Sequence, residues 1–359
     1  METDTRPGAT TRRGKMRTNM TLKEFAKLVG MSQTTVSRAL NGHPEVNERT
    51  RARLVEAARL HGYSPNAHAR FLATGHASII GCVIPVTGRN EIVNPIYADF
   101  LAGVGEECAA RRFDINLSMV PDDDQAQAYR GLKSKGLISG VIVQFPRHDD
   151  TRLALLDSIG LPYVVHGRVS GHAAPYSWVD VNNQRAFERA AGFLLQLGHR
   201  RIALLNGDER LDFAHRRREG YVKALREAGL APDPDLMVSA EMTAAYGYAQ
   251  ALRLLDLPEP PTAILCAATT IATGIRQAVE ERGIILGRDL SVVTFDDDLS
   301  YYSNRDTVPF FTAMRSPVRL AGQRCAARLI ERVGNRNAPH VQDVLEAELV
   351  VGRSTAPPR

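Results

Sequence analysis

The stretch from Thr21 to His61 constrains the chain most, because its punctuation allows only short helices meeting at sharp turns. Thr21 can cap a helix in which Leu22, Phe25, Ala26 and Val29 recur at helical spacing. Gly30 stops that helix, since glycine readily takes the left-handed conformation that closes one. Ser32 caps a second helix, predicted over Gln33 to Leu40, with Val36 and Leu40 one turn apart on its inner side. Asn41-Gly42 and Pro44 break the chain again, and Asn47 opens a third helix through His61. Leu54, Ala57, Ala58 and His61 share one face of it. Two short helices across a glycine turn, braced by a third, form a helix-turn-helix unit. A bland three-helix bundle shows the same apolar spacing but has no need of the polar run SQTTVSRALNG.

Such a unit works by geometry. The second helix enters the major groove by its N-terminal end, so its early exposed residues meet base edges. Here those are Gln33 and Thr34, with Arg38 one turn later. Gln suits adenine and Arg suits guanine because each can make paired hydrogen bonds to a base edge. Ser32, Thr35, Ser37 and Asn41 are short polar groups suited to phosphates, contacts that position without specifying. Charge agrees. Residues 1–77 hold 13 Lys and Arg against 6 Asp and Glu, whereas the other 282 hold 32 against 34. A cationic head on a nearly neutral body points to a phosphate backbone as the head's partner.

The remaining composition bounds the class. Hydrophobic residues at 44% and charged residues at 24% permit a real core. No segment approaches ~18 uninterrupted apolar residues, so no membrane partner is expected. Residues 1–19 are basic without an apolar stretch, and are expected to be a disordered tail and not an export signal. Cys82, Cys108, Cys266 and Cys325 are widely spaced and lack CxxC, which opposes a disulfide framework or zinc site and suits a reducing cytoplasm.

Beyond residue 78 the chain alternates apolar strands with amphipathic helices. Strands are predicted at Ile79–Ile84, Ile115–Val120, Val141–Val143, Tyr163–Val165, Ile202–Leu205, Ala263–Cys266 and Leu290–Phe295. Helices are predicted at Tyr97–Ala110, Arg185–Leu197, Tyr221–Ala228 and Ile275–Arg282. This pattern gives parallel sheets covered on both faces, whose ligands bind beyond the strands' carboxyl ends. Two similar halves, ISGVIVQFP with GLPYVV and PTAILC with DLSVVTFDD, imply two sheets and not one. Asn182 is expected to cap the helix beginning near Asn183, and His199 to be structural.

Catalytic signatures are missing: there is no P-loop, no G-x-S-x-G and no H-E-x-x-H. Asp122-Asp123-Asp124 suits a helix N-terminus, and neither it nor Asp296-Asp297-Asp298 has the spaced ligands of a hard-cation site. The expectation is a non-enzyme with no metal and no cofactor.

The run from MTLKEFAKLVGMSQTTVSRALNG to HGYSPN, with the motifs T-x-x-x-V-S-R-x-L-N and G-Y-x-P-N, resembles the lactose-repressor (LacI/GalR) family over residues 20–354. The resemblance implies a cytoplasmic bacterial regulator, binding double-stranded operator DNA as a homodimer and sensing a small sugar effector. It implies a small all-α helix-turn-helix head (20–66), a hinge helix and linker (67–77), and an α/β periplasmic-binding-protein-like two-lobed core (78–359). Lobe one is expected at 78–178 and 315–340, and lobe two at 179–314 and 341–354, with a last strand Leu345–Val351 in lobe two. Gln33, Thr34 and Arg38 match the family's base readers, and Asn66 falls within its DNA-binding motif. Leu72, between Ala69 and Ala73, matches a leucine wedged into the minor groove, a device that kinks the duplex.

In the core, the resemblance maps effector binding onto Arg217, Asp296 and Tyr97. Trp178, at the expected crossover, is left open between stacking on a sugar and packing the hinge. One departure stands out: Ala268-Thr269 replaces the Asn-Asp that many relatives carry after the strand PTAILC. The segments VDVNNQRAFERAAGFLLQLGHRRIALLNG, SVVTFDDDLSYY and VNPIYADF look most like the branch linked to α-glucoside utilisation. The stretch from Val351 onward has no heptads and two prolines, so the expected assembly stops at the dimer. The rival readings are a two-lobed sugar-binding transport protein, which needs export, and a non-specific DNA binder, which needs no such core.

Overall fold

The structure, a computed structural model, describes residues 20–40, 43, 45–63, 78–86, 95–136, 138–300, 304 and 308–359. The expected tail (1–19) and hinge (67–77) lie outside the described residues, as do Asn41, Asn66 and Leu72. The chain divides into two compact units, Met1–His76 and Ala77–Arg359.

In the first unit, three helices enclose a small core: α1 (Leu22–Val29), α2 (Gln33–Leu40) and α3 (Glu48–Leu60). A reciprocal capping box starts α1, Thr21 Oγ1 accepting from the Glu24 N–H and the Glu24 carboxylate accepting from Thr21. Gly30 ends it at φ 68°. Ser32 Oγ accepts the Thr35 N–H at 3.0 Å, and Asn47 Oδ1 accepts the Arg49 N–H at 2.8 Å. Phe25, Ala26, Val36, Ala39, Leu54, Ala58 and Tyr63 form the core, with the Phe25 and Tyr63 rings stacked 4.3 Å apart. Leu40 packs against this core as expected, with Ala39 fully buried beside Val36, but His61 is exposed and Tyr63 takes the buried place. Removing the α1 cap with Thr21→Ala is expected to cost this unit about 1 kcal/mol, read as a lower melting transition of the head.

The second unit holds two six-stranded sheets. One has the order β11-β5-β4-β3-β1-β2, formed by β1 (Ile79–Val86), β2 (Asp114–Pro121), β3 (Gly140–Val143), β4 (Tyr163–His166), β5 (Trp178–Val181) and β11 (Gln342–Leu345). All its pairings are parallel. Successive residues face opposite sides, so both faces must be covered. Cys82, Ile142, Val164 and Val179 pack under α4 (Pro95–Ala110) and α11 (Val318–Gly334). Val83, Val141, Val143, Tyr163 and Val165 pack under α5 (Gln125–Lys135) and α6 (Thr151–Ser158). The acidic run Asp122–Asp124 is a 3-10 turn leading into α5.

The other sheet has the order β12-β10-β9-β8-β6-β7, formed by β6 (Ile202–Asn206), β7 (Met237–Ser239), β8 (Ala263–Cys266), β9 (Ser291–Asp296), β10 (Thr312–Arg315) and β12 (Glu348–Val350). Only β12 runs antiparallel to its neighbour. Its faces are covered by α7 (Asn183–Gln196) with α8 (Asp212–Glu227), and by α9 (Ala244–Leu255) with α10 (Thr269–Glu281). Helices α7 and α8 touch so closely that a Cβ on Gly220 would lie 2.0 Å from the Gln184 carbonyl oxygen. His199 is buried and bonded to Thr262 Oγ1 at 2.9 Å and Ser291 Oγ at 3.0 Å, a purely structural placement.

The sheets correct the lobe boundaries. Trp178–Val181 hydrogen-bonds into the first sheet, so lobe one continues past 178. Gln342–Leu345 pairs with β5, so 341–345 belongs to lobe one, and Leu345 ends a lobe-one strand instead of opening a lobe-two one. The first and last crossovers therefore come several residues later than the sequence pattern suggests, while the middle one falls at the end of β10, as expected. Helix α8 begins at Asp212 and not near Tyr221, because its first turns, DFAHRRRE, carry few apolar residues for a periodicity to register.

Candidate functional site

On the head, α2 turns its two sides to different environments. Val36 and Ala39 are buried, whereas Ser32, Gln33, Thr34 and Arg38 are exposed and Thr35 and Ser37 are half-buried. At ~3.6 residues per turn, Gln33, Thr34, Ser37 and Arg38 share the outward side of the helix. Lys23, Lys27, Arg49 and Arg53 are also exposed on this unit. The base-reading side chains Gln33, Thr34 and Arg38 thus lie exposed on one side of α2, while the Ser32 and Thr35 hydroxyls bond each other at 2.9 Å.

In the second unit, the carboxyl ends of both sheets meet. The loops after β3 and β4 touch the start of α8, which follows β6: the Asp212 N–H donates to the Pro146 carbonyl at 2.9 Å, and the Ser170 N–H to Asp212 Oδ1 at 3.0 Å. This is the position where ligands of parallel sheets bind.

Arg217, one turn into α8, is 6% exposed. Its Nε donates to Asn183 Oδ1 at 2.8 Å and its Nη1 to the Ala267 carbonyl at 2.7 Å. Three rings surround the guanidinium: Phe295 at 4.0 Å, Phe213 at 4.9 Å and Phe187 at 5.2 Å. Burial pulls its pKa down to about 10, opposed by Asp297 and Asp180, so it stays charged at neutral pH. A cation fixed in this way, with further N–H groups of its own, can present a paired donor to vicinal hydroxyls.

Asp296 ends β9 and is buried, but its Oδ1 accepts the Asp298 N–H at 2.9 Å and its Oδ2 lies 3.7 Å from Arg315 Nε. The carboxylate whose charge couples to Arg217 is Asp297, the next residue. Burial pushes the Asp297 pKa up to about 7, against the pull of Arg217 and with the push of Asp296. The sign follows. Between the unfolded value near 4 and about 7 the folded chain holds a proton that the unfolded chain has lost, so stability falls as pH rises through that window. Asp297→Asn is expected to flatten this slope, seen as a smaller change in denaturant midpoint between about pH 5 and about pH 8.

Tyr97 lies in the first turn of α4, 5% exposed, its ring 6.1 Å from Phe145 and its hydroxyl buried with no partner among the described residues. Burial raises its pKa, so it remains a neutral phenol. Trp178 opens β5 at 6% exposure, packed with Val83, Val143 and Val165, with the Arg168 guanidinium 4.9 Å over its ring. Ala267 and Ala268 bring no polar side chain, but the Ala267 carbonyl anchors Arg217, and Thr269 Oγ1 donates to the Phe295 carbonyl at 3.3 Å.

Two polar residues escaped the sequence reading. Asn183 joins Arg217 to Asp180, its Nδ2 donating to Asp180 Oδ1 at 3.3 Å, and Asp180 Oδ2 accepts Arg168 Nε at 2.6 Å. Gln144, just after β3, is buried, its Nε2 without a partner among the described residues. Among the described residues, no group of three or more His, Cys, Asp or Glu is placed to hold a metal, and no helix is long and apolar enough to cross a membrane.

Comparison with known proteins agrees with this geometry. A family model of bacterial regulatory proteins, lacI family, matches residues 21–66, and a periplasmic binding protein-like domain matches residues 191–355. The HTH-type transcriptional regulator AglR of Rhizobium meliloti (strain 1021) is 43% identical over 337 residues, 94% of each chain. A transcriptional regulator CelR–cellobiose complex superposes with TM-score 0.69 at 28% identity, over 94% of this chain and 100% of that one. The lac repressor dimer bound to operator and the anti-inducer ONPF gives TM-score 0.78 at 25% identity, over 94% and 100%. The chain belongs to the lacI family of bacterial regulatory proteins and is a DNA-binding transcriptional regulator.

Proposed function

We propose that this regulator is a homodimeric, cytoplasmic repressor of carbohydrate-utilisation genes, released or engaged by a small sugar, an α-glucoside, held between the two lobes. The observation that carries the effector reading is Arg217: a buried, aromatic-walled guanidinium at the meeting point of both sheets' carboxyl ends. Asp297, Asp296 and Tyr97 supply the surrounding acceptors and ring. The α-glucoside class rests on the sequence resemblance, and the binding of a disaccharide by a structural relative, the CelR–cellobiose complex, supports a sugar of that size. Gln33, Thr34 and Arg38 read bases, Ser32, Thr35, Ser37 and Asn41 position, Asn66 contacts DNA and Leu72 wedges the minor groove.

One recognition helix covers a half-site, so a two-fold dimer on a palindrome is the economical arrangement. The catalytic alternative has no support, since the relatives that match are regulators.

The test is operator binding at fixed salt against a panel of α- and β-linked glucosides. An α-glucoside is expected to shift operator affinity by about 5- to 150-fold. Operator binding indifferent to every sugar in the panel would overturn the effector reading. Sedimentation should give a dimer at all working concentrations, and a concentration-independent tetramer would overturn that assignment.

A further inference from the structure

One edge of the cleft is fastened by bonds that no effector contact requires. Asp212, the first residue of α8, has no exposed surface. A carboxylate so placed must be paired to be tolerated. Its Oδ2 accepts Arg216 Nε at 2.5 Å within the helix. Its other partners come from lobe one: the Ser170 N–H at 3.0 Å on Oδ1, the Pro146 carbonyl at 2.9 Å on its own N–H, and His148 Nδ1 3.8 Å from Oδ1. Arg216 Nη2 reaches across as well, donating to Ser170 Oγ at 2.7 Å, and Arg147 bridges Leu211 backbone to backbone.

The lobe-one side of this contact is stiff. Arg152 Nη2 donates to the Gln144 and Phe145 carbonyls at 3.0 and 3.1 Å, fixing the loop after β3. Tyr176 Oη accepts the Val169 N–H at 2.7 Å, fixing the loop after β4. The Gly171 N–H donates to the His148 carbonyl at 3.0 Å and ties the two loops together. Rigid groups on both sides mean that the lobes cannot separate along this edge without breaking Asp212's bonds together.

The same helix carries Arg216 and Arg217 in succession, one committed to the lobe-one loop and the other to the cleft. We propose that Asp212, with Ser170 and Arg216, is an interlobe clasp. It stabilises the lobe arrangement to which the effector binds, and so sets how much effector the regulator needs. The inference rests on the effector reading above. A clasp and an effector that favour the same arrangement are thermodynamically linked. Loss of the clasp must then weaken the effector and move operator affinity in the direction opposite to the effector's own action.

The experiment uses the full chain and maltose as the α-glucoside probe. Asp212→Asn keeps an acceptor for Ser170 but loses the charge facing Arg216, Asp212→Ala loses both, and Ser170→Ala removes only the hydroxyl that accepts from Arg216. Maltose is expected to bind Asp212→Ala about tenfold more weakly, with smaller losses in the other two. Sugar-free operator affinity should move opposite to the shift that maltose causes in the wild type.

A sugar-independent readout separates the two readings. Spin labels at Ala154→Cys and Arg226→Cys, exposed sites on opposite lobes, report the interlobe distance while the four native cysteines stay buried. The distribution should lengthen or broaden in Asp212→Ala. If it does so while no sugar binds the wild type, the clasp stands and the effector reading falls. If a folded Asp212→Ala and Ser170→Ala both keep the wild-type distance and maltose affinity, the clasp is wrong.

Discussion

Arg217→Ala is expected to abolish the effector response while operator binding survives. The size of the effect comes from what the guanidinium leaves behind. Arg217 is buried among Phe295, Phe213 and Phe187, and it satisfies Asn183 Oδ1 and the Ala267 carbonyl. Truncation removes the paired donor offered to sugar hydroxyls and strands the half-buried Asp297, whose ionised form it supports. Losing a hydrogen bond from a charged donor costs about 1.5–3 kcal/mol, roughly 10- to 150-fold in effector affinity for each bond to the sugar. The operator face is on the other compact unit, so its affinity for DNA without sugar should hold. Titration by the fluorescence of Trp178, the sole tryptophan, alongside an operator-binding assay reads both quantities. Arg217→Lys is the informative companion. Lysine keeps a charge but cannot bond Asn183 and Ala267 with a flat fork, so it should rescue little. An Arg217→Ala protein that still responds to sugar at wild-type concentration removes Arg217 from the site.

What the sequence revealed of this cleft, and what it hid, follows the physics of each signal. Arg217 was legible because it sits at a fixed spacing before Gly220-Tyr221, and a helix preserves spacing. The close α7–α8 packing at Gly220 shows why that glycine belongs there. The sequence pointed to Asp296 but carried no sign that Asp297, one residue on, is coupled to Arg217. In a strand, consecutive side chains point to opposite faces, so the role of each member of Asp296-Asp297-Asp298 depends on where β9 ends and how the chain then turns. The turn is set by Asp298 at φ 54° and by its N–H bonded back to Asp296, neither of which leaves a mark in composition. Asn183 was seen only as the start of a helix, because its partners Asp180 and Arg217 lie on other elements. The missed strands β5, β7, β10 and β11 are three or four residues long and include polar residues, whereas the equally short β3, β4 and β8 stand out as mostly apolar runs.

The head was more legible because its signals are local. Caps, a glycine stop and polar side chains on a single helix face all act within four residues, and Thr21, Gly30 and Ser32 behave as read. Leu40 packs against the core as read, and Ala39, which the apolar spacing did not single out, is buried beside Val36.

The inward side of α2 bears on the second large prediction, since it fixes which residues point outward. With Val36 and Ala39 inward, Arg38 lies on the exposed side with Gln33 and Thr34. Arg38→Ala is expected to lose about 1–3 kcal/mol of operator affinity, roughly 5- to 150-fold, and to relax the preference at a single base pair in each half-site. Gln33→Ala should relax a different position by a similar amount. A dimer presents each side chain twice, so the loss on a symmetric site should approximately double in free energy relative to a site with one altered half. Mutating Ser32 or Thr35, read as positioning groups, should instead weaken all sequences alike. The measurement is binding to a set of single-base operator variants at several salt concentrations. Base readout predicts a changed sequence profile with little change in salt slope. A phosphate contact predicts the reverse, a slope smaller by about one with the profile intact. If Arg38→Ala shifts only the salt slope, Arg38 grips the backbone, and base reading falls to Gln33 and Thr34.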